Sequence, residues 1–211
     1  MEHLVTMTTH VPDEASEADV AEMRRREAVR SGQLAEEGVL ERLWRPPLQP
    51  GEWQSIGLFA SATADELEEA LSSMPLRAWR SDEVVPLGHH SNDPGRDRSA
   101  VDPEQSEFLT TFVGGPPAGS SPDLVDATLA GEARQTARLA SDGYLLRLWT
   151  LPGTGRSLGL WQAPGESQLQ ALLGSLPMIA WLAVETVPLT RHPSDPAVAA
   201  SRPAGSRVAG P

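Results

Sequence analysis

One stretch of this chain occurs twice. Glu27 to Arg45, EAVRSGQLAEEGVLERLWR, returns as Glu132 to Thr150, EARQTARLASDGYLLRLWT. Glu27 and Glu132, Gly38 and Gly143, and Trp44 and Trp149 are each 105 residues apart. A duplicated chain has to build the same local structure twice, so an assignment made in one copy must also hold in the other.

In the first copy, Glu2 to Thr9 alternates and is rich in β-formers, which predicts a strand broken by Val11-Pro12-Asp13. A charged helical pattern runs from about Ser16 to Glu37, and Gly38 suits its C-terminal end. Val39 to Arg45 and Trp53 to Ala60 read as strands around a Pro-rich loop. Thr63 opens a short helix over Ala64 to Ser73, with Glu66 completing a capping box and Met74-Pro75 ending it. Trp79 to Leu87 is the last strand. The second copy repeats this β-α-β-β-α-β order between Glu107 and Leu189, closing its second helix at Leu176-Pro177.

This order predicts an α+β chain of two ferredoxin-like repeats, residues 1–92 and 107–194. Residues 93–106 form a linker, and a Pro-rich tail over 195–211 is expected to be disordered. One sheet with helices on one face leaves the other face bare. Pairing of the two repeats into a pseudo-dimeric α+β barrel would cover it, with the ligand cavity expected between the sheets.

Several classes of function are excluded. The net charge of −12 argues against nucleic acid or an anionic membrane as the main partner. With no cysteine there is no disulfide, thiolate metal site or Cys nucleophile. No apolar run approaches membrane-spanning length and the N-terminus lacks a signal-peptide pattern, so a cytoplasmic protein is expected. His3, His10, His89, His90 and His192 show no metal-ligand spacing, and the adjacent His89-His90 pair at a strand end reads as solvated. There is no phosphate loop or serine-hydrolase elbow. No cofactor is expected.

The residue that stands out is a glutamate. Val20, Met23, Glu27, Ser31 and Leu34 follow helical spacing, as do Val125, Leu129, Glu132, Thr136 and Leu139. Both carboxylates therefore lie in a stripe that should be buried. Desolvation raises a carboxylate pKa toward neutrality, which suits a group that takes a proton from carbon and returns it. The plainer alternative is that Glu27 reaches solvent or pairs with Arg24 or Arg30.

The opening strand followed by Pro12, Glu27, Gly38, Leu43-Trp44-Arg45, the Leu-Pro type helix end and the closing Arg191-His192-Pro193-Ser194 together resemble the muconolactone isomerase family. Family members are about one repeat long, so both copies are covered. The resemblance implies a ferredoxin-like fold paired into an α+β barrel, often in larger assemblies, so a homo-oligomer of pseudo-dimers is expected. It implies a cofactor-free proton shift in a small unsaturated lactone, with Glu27 and Glu132 at the place of the proton-shuttling glutamate. The family's substrate-binding tyrosine is replaced by Trp53 and Gly155, and an asparagine two residues on by Ser55 and Ser157. These losses point away from muconolactone itself and toward a larger, more apolar substrate.

Catalytic roles are accordingly assigned to Glu27 and Glu132. Trp44, Arg45, Trp53, Ser55, Trp149, Ser157, Arg191 and His192 are assigned to substrate binding. Each has a plainer reading: Trp44 and Trp149 as core aromatics, Trp53 as hairpin packing, Arg45 as a surface cation, Arg191 and His192 as a tail salt bridge. Arg45 becomes Thr150, so the two sites cannot be chemically equal. The alternatives to an isomerase are a cyclase in a biosynthetic pathway working by pocket shape, a non-enzymatic module binding a small apolar ligand, and a duplication in which one copy only braces the other.

Overall fold

The computed structural model describes residues 1–95 and 101–200. The first repeat comprises β1 (Glu2–Thr9), α1 (Glu17–Glu36), β2 (Leu40–Arg45), β3 (Gln54–Ala60), α2 (Ala64–Ser73) and β4 (Arg80–His89). The second comprises β5 (Ser106–Gly114), α3 (Pro122–Ser141), β6 (Leu145–Thr150), β7 (Arg156–Ala163), α4 (Glu166–Gly174) and β8 (Leu182–Arg191). A 3-10 turn precedes the last strand of each, at Pro75–Trp79 and Ile179–Trp181, and a short α5 (Pro196–Ala200) follows.

Local signals account for the helix ends. Ser16 accepts from the Asp19 amide while Asp19 accepts from the Ser16 amide, closing both arms of a capping box on α1. At α2 the box is offset: Thr63 accepts from the Glu66 amide, but the Glu66 carboxylate reaches the Ala62 amide instead of that of Thr63. Gly38 (φ 74°) and Gly143 (φ 81°) take the left-handed conformation just past α1 and α3.

The chain divides into two compact units that do not coincide with the repeats. The first unit contains Val5–Glu83 and the segment from Arg191 onward; the second contains Met1–Leu4 and Val84–Thr190. Each repeat thus surrenders its closing segment to the unit built on the other. In the second unit the sheet order is β8-β5-β7-β6, the antiparallel ferredoxin-like arrangement, with the end of β4 pairing to β6 through Gly88 with Thr150 and His89 with Trp149. In the first unit β1, β3 and β2 lie side by side. Each unit has its own core, centred on Val5, Leu34, Phe59 and Leu71 in one and on Phe108, Leu139, Trp161 and Leu173 in the other.

The structure revises what was expected of the linker and tail. Residues 96–100 of the linker and 201–211 of the tail lie outside the described residues. Asp93 and Asp195, assigned to those segments, instead hold buried arginines. Arg42 donates to Asp195 through Nε and Nη2 (3.1 and 3.0 Å), and the Leu43 amide joins at 3.2 Å. Arg147 donates to Asp93 (3.2 Å between Nη2 and Oδ2) and forks onto both oxygens of Glu2 (2.7 Å each). The Leu148 amide donates to Asp93 at 2.8 Å. A register shift in each β2–β3 and β6–β7 ladder, between Leu40 and Arg42 and between Leu145 and Arg147, turns these arginines inward.

Candidate active sites

A cavity lies inside each unit, between the long helix and the sheet, and not between two sheets as expected. The helix faces that border the cavities carry Ala28 and Ser31, or Glu132 and Thr136, where bulkier apolar side chains would close the gap. The first unit's cavity measures about 470 Å³ and the second's about 310 Å³, within the range of small-molecule sites.

Glu27 and Glu132 occupy matching places at the two cavities. After α2, Met74-Pro75 ends the helix and leaves the Leu76 amide at the start of the 3-10 turn without an intrahelical acceptor. That amide donates to Glu27 Oε2 at 2.8 Å. Past Leu176-Pro177, the Met178 amide donates to Glu132 Oε2 at 2.9 Å. The Leu-Pro type ending visible in the sequence is therefore what supplies each glutamate with a backbone donor.

The surroundings then diverge. Glu27 Oε1 is bound by Arg80 Nη1 at 2.8 Å, and Arg80 is also held by Asp82. Burial pushes the Glu27 carboxyl up, opposed by the Leu76 amide and by Arg80. The position of Arg80 is taken in the second repeat by Leu182, which lines that cavity. Glu132 is 8% exposed, and burial pushes its carboxyl up with only the Met178 amide in opposition. Glu27 is thus held as an ion pair, whereas Glu132 is a carboxyl with no cation among its partners in the described residues.

Each cavity also receives a histidine from the other repeat. His192 Nδ1 accepts from the Ser194 amide (3.1 Å) and His90 Nδ1 from the Asn92 amide (3.1 Å). The contact assigns the hydrogen of the neutral His90 ring to Nε2; at His192 the Arg45 Nη2 donor also faces Nε2, at 3.4 Å, so both ring nitrogens meet donors. Burial and the neighbouring Arg45 lower the His192 pKa to about 4; burial also lowers that of His90, against the pull of Asp93. Both rings are then neutral near neutral pH. His90 is half-buried and lines the second cavity, so the expectation of a solvated pair fails for it. The turn His-x-x-Asp, at His90 to Asp93 and His192 to Asp195, fixes both rings.

A family model described as muconolactone delta-isomerase matches residues 1–93 and 107–195. The chain belongs to the muconolactone isomerase family. A muconolactone delta-isomerase of Cupriavidus pinatubonensis is 31% identical over 90 residues, 43% of this chain and 95% of the relative. That of Rhodococcus opacus is 27% identical over 79 residues, 37% of this chain and 85% of the relative. Among solved structures, a chlorite dismutase mutant from Candidatus Nitrospira defluvii matches with TM-score 0.61 at 10% identity, covering 94% of each chain. A heme-binding protein from Thermus thermophilus matches with TM-score 0.60 at 10% identity, again over 94% of each. At such identity the likeness is one of fold, and it extends over nearly the whole chain.

Within this muconolactone isomerase-family chain, Glu27, Arg45, Trp53, Ser55 and His192 come together at the first cavity, and Glu132 and Ser157 line the second. Trp44 and Trp149 do not line either; they are 0% and 2% exposed. Their rings lie under the guanidinium groups of Arg42 and Arg147, at 4.8 and 4.7 Å, and Trp149 Nε1 donates to Glu2. Packing with the buried arginines claims them. Arg191 ends β8 and is absent from both linings, whereas its neighbour His192 is present. Leu129, expected in the buried stripe, is 44% exposed at the edge of the second cavity. Arg24 pairs with neither glutamate and stacks on Trp53 at 4.4 Å. Arg80 was missed because the second repeat has no arginine to repeat it. His90 was legible in the recurring His-x-x-Asp.

The two glutamates should answer unequally to amide replacement. A raised native pKa means that the folded state binds the proton more tightly than the unfolded chain does. The associated stabilisation is present at low pH and is lost as pH rises through the folded value. Glu132→Gln removes that loss and keeps an acceptor for Met178, so its melting temperature should exceed wild type at about pH 8 and converge with it near about pH 4. Glu27 has the same sign of shift, but Glu27→Gln also takes one of two carboxylate partners from Arg80, leaving Asp82, so its gain at about pH 8 should be smaller than that of Glu132→Gln. Thermal melts at the two pH values check the sign and the order.

Proposed function

We propose that this chain is a cofactor-independent isomerase that shifts a proton next to the carbonyl of an unsaturated lactone or related compound, with a cavity glutamate as the proton carrier. The observation that carries this reading is the recurrence of a buried carboxyl with an upward-shifted pKa, on a backbone amide donor, at both cavities of a muconolactone isomerase-family chain. The carboxylate removes a proton from one end of the three-carbon unit conjugated with the carbonyl, charge moves to the carbonyl oxygen as a dienolate, and the same carboxyl returns the proton at the other end, from α- to γ-carbon in a β,γ-unsaturated lactone and from γ- to α-carbon in an α,β-unsaturated one. Atoms and electrons balance without a further reactant. Glu132 fits the role better than Glu27, because a carboxylate not neutralised by arginine is the stronger base. Neutral His90, which lines the second cavity, can donate from Nε2 to substrate oxygen there.

The test is exchange. Muconolactone and the uncharged α-angelica lactone, incubated in deuterium oxide with the protein, should show accelerated deuterium uptake at the α-carbon and double-bond migration. The Glu27→Gln/Glu132→Gln double variant should abolish both. Exchange that persists undiminished in the double variant, or that folded wild-type protein does not accelerate, overturns the proposal. Because the base must be ionised, activity should fall on the acid side along a limb centred above the usual glutamate value, near pH 4.3 in free peptides, of roughly one proton. A pH–rate profile gives its position.

A reading as a cyclase on a larger intermediate is favoured by one observation, the glycine at position 155 where the first repeat has Trp53, which leaves the second cavity without an aromatic at that point. Such an activity would show partial rather than complete rate loss in the same glutamate variants.

A further inference from the structure

One buried hydroxyl at the first cavity has no role in the fold. Glu27, Ala28 and Ser31 lie on one face of α1, and all three line that cavity. Ser31 is 2% exposed. A serine hydroxyl inside a helix either bonds back to the carbonyl one turn earlier or points away from the helix. Ser31 Oγ makes no bond to the Glu27 carbonyl and has no other hydrogen-bond partner among the described residues. Nor is it one of the unpartnered side-chain atoms that the protein encloses completely. The oxygen therefore opens on the space that Ser31 lines.

The second repeat shows the same helix position with its hydroxyl turned to the helix itself. Thr136 stands 105 residues after Ser31, as Glu132 does after Glu27, and is also 2% exposed. Thr136 Oγ1 donates to the Glu132 carbonyl at 2.8 Å, with the Ala133 carbonyl at 3.2 Å. That proton is engaged, whereas the Ser31 proton is free. Alanine is the better helix former and would leave no polar atom unmatched at a buried site. Neither helix propensity nor hydrogen bonding within the fold accounts for a serine at position 31. The spacing suits a small ring. Side chains four apart on a helix have Cβ atoms about 5–6 Å from each other, so a five-membered ring that meets Glu27 with one edge can present an oxygen to Ser31.

We infer that Ser31 is a ligand-binding residue of the first unit's cavity, with its hydroxyl donating to a lactone oxygen of the bound compound. The second cavity has no free hydroxyl proton at the matching position. That the ligand is a lactone rests on the isomerase reading above; that the hydroxyl is free to bind a ligand rests on α1 alone.

The experiment is calorimetric titration of the full-length protein with the saturated analogue of muconolactone, which has no double bond to move. Its carboxylate directs it to the cavity lined by Arg24, Arg45 and Arg80. Ser31→Ala should weaken binding about 3–10-fold, the contribution of one neutral hydrogen bond, and should melt at or above the wild-type temperature. Cyclopentylacetate keeps the ring and the carboxylate but lacks both lactone oxygens. Its affinity should be the same for wild type and Ser31→Ala, whereas a hydroxyl that only supported the helix would affect both compounds alike. Unchanged affinity for the lactone in Ser31→Ala, an equal loss for both compounds, or no saturable lactone binding by folded wild-type protein overturns the inference. Deuterium exchange tests the isomerase reading separately. Ser31-dependent binding without exchange sinks the proton transfer and keeps the hydroxyl's role; exchange with Ser31-independent binding does the reverse.

Discussion

Glu132→Gln is expected to reduce the rate of α-angelica lactone isomerisation by about 10²–10⁴-fold, the range a positioned general base contributes. The amide keeps an acceptor for the Met178 N–H, so substrate affinity and folding should survive and the loss should fall on kcat rather than KM. Glu27→Gln should cost the same substrate less than about fivefold, since Glu27 lies in the other cavity, where Arg80 holds it as an ion pair. On muconolactone the ordering should reverse, because the first cavity offers Arg24, Arg45 and Arg80 to its carboxylate where the second has the exposed Arg156. Steady-state kinetics of the two single variants on both lactones measures all four numbers. Equal losses in both variants on both substrates would mean that the cavities do not act separately.

Arg147→Met is expected to be the most damaging single change to stability away from the apolar cores. The Arg147 side chain is 10% exposed and its guanidinium answers two carboxylates, on the Glu2 and Asp93 side chains, which are 19% and 11% exposed, while it covers Trp149. Removing it leaves two uncompensated charges, and breaking a buried pair in this way costs about 3–5 kcal/mol. For a chain of this size the melting temperature should drop by roughly 6–20 °C. Adding Glu2→Gln and Asp93→Asn to Arg147→Met should recover most of the loss, because neutral groups need no counter-charge. Calorimetry on the single and triple variants decides it; a single-variant loss below about 1 kcal/mol would show the cluster to be effectively solvated.

Element order was legible in the sequence because period and punctuation agreed in two copies. A helix start at Ser16, glycines past α1 and α3, and a proline after each second helix mark breaks that local chemistry dictates. Both glutamates were legible for the same reason: a charged residue at a helical spacing otherwise reserved for small or apolar groups. Arg42 and Arg147 were not. The bulges that turn them inward add a residue to one strand, and alternation cannot reveal a shift in its own register. Asp93 and Asp195 were hidden by their neighbours, since a carboxylate among Pro, Ser and Asn looks solvated until its partner is known. Trp44 and Trp149 were ambiguous between wall and core, and only the arginines above them resolve the matter.

The location of the cavities carries a consequence for how such a protein can change. Glu27 and the strands around it belong to the first repeat, but His192 of the same cavity follows the last strand of the second; Glu132 belongs to the second repeat and His90 to the first. Neither site is therefore heritable as one half alone. A recombination event that exchanged one half for a homologue's would replace most of one cavity and the histidine of the other in a single step. An engineer who wishes to transplant one specificity must move two separated pieces of sequence.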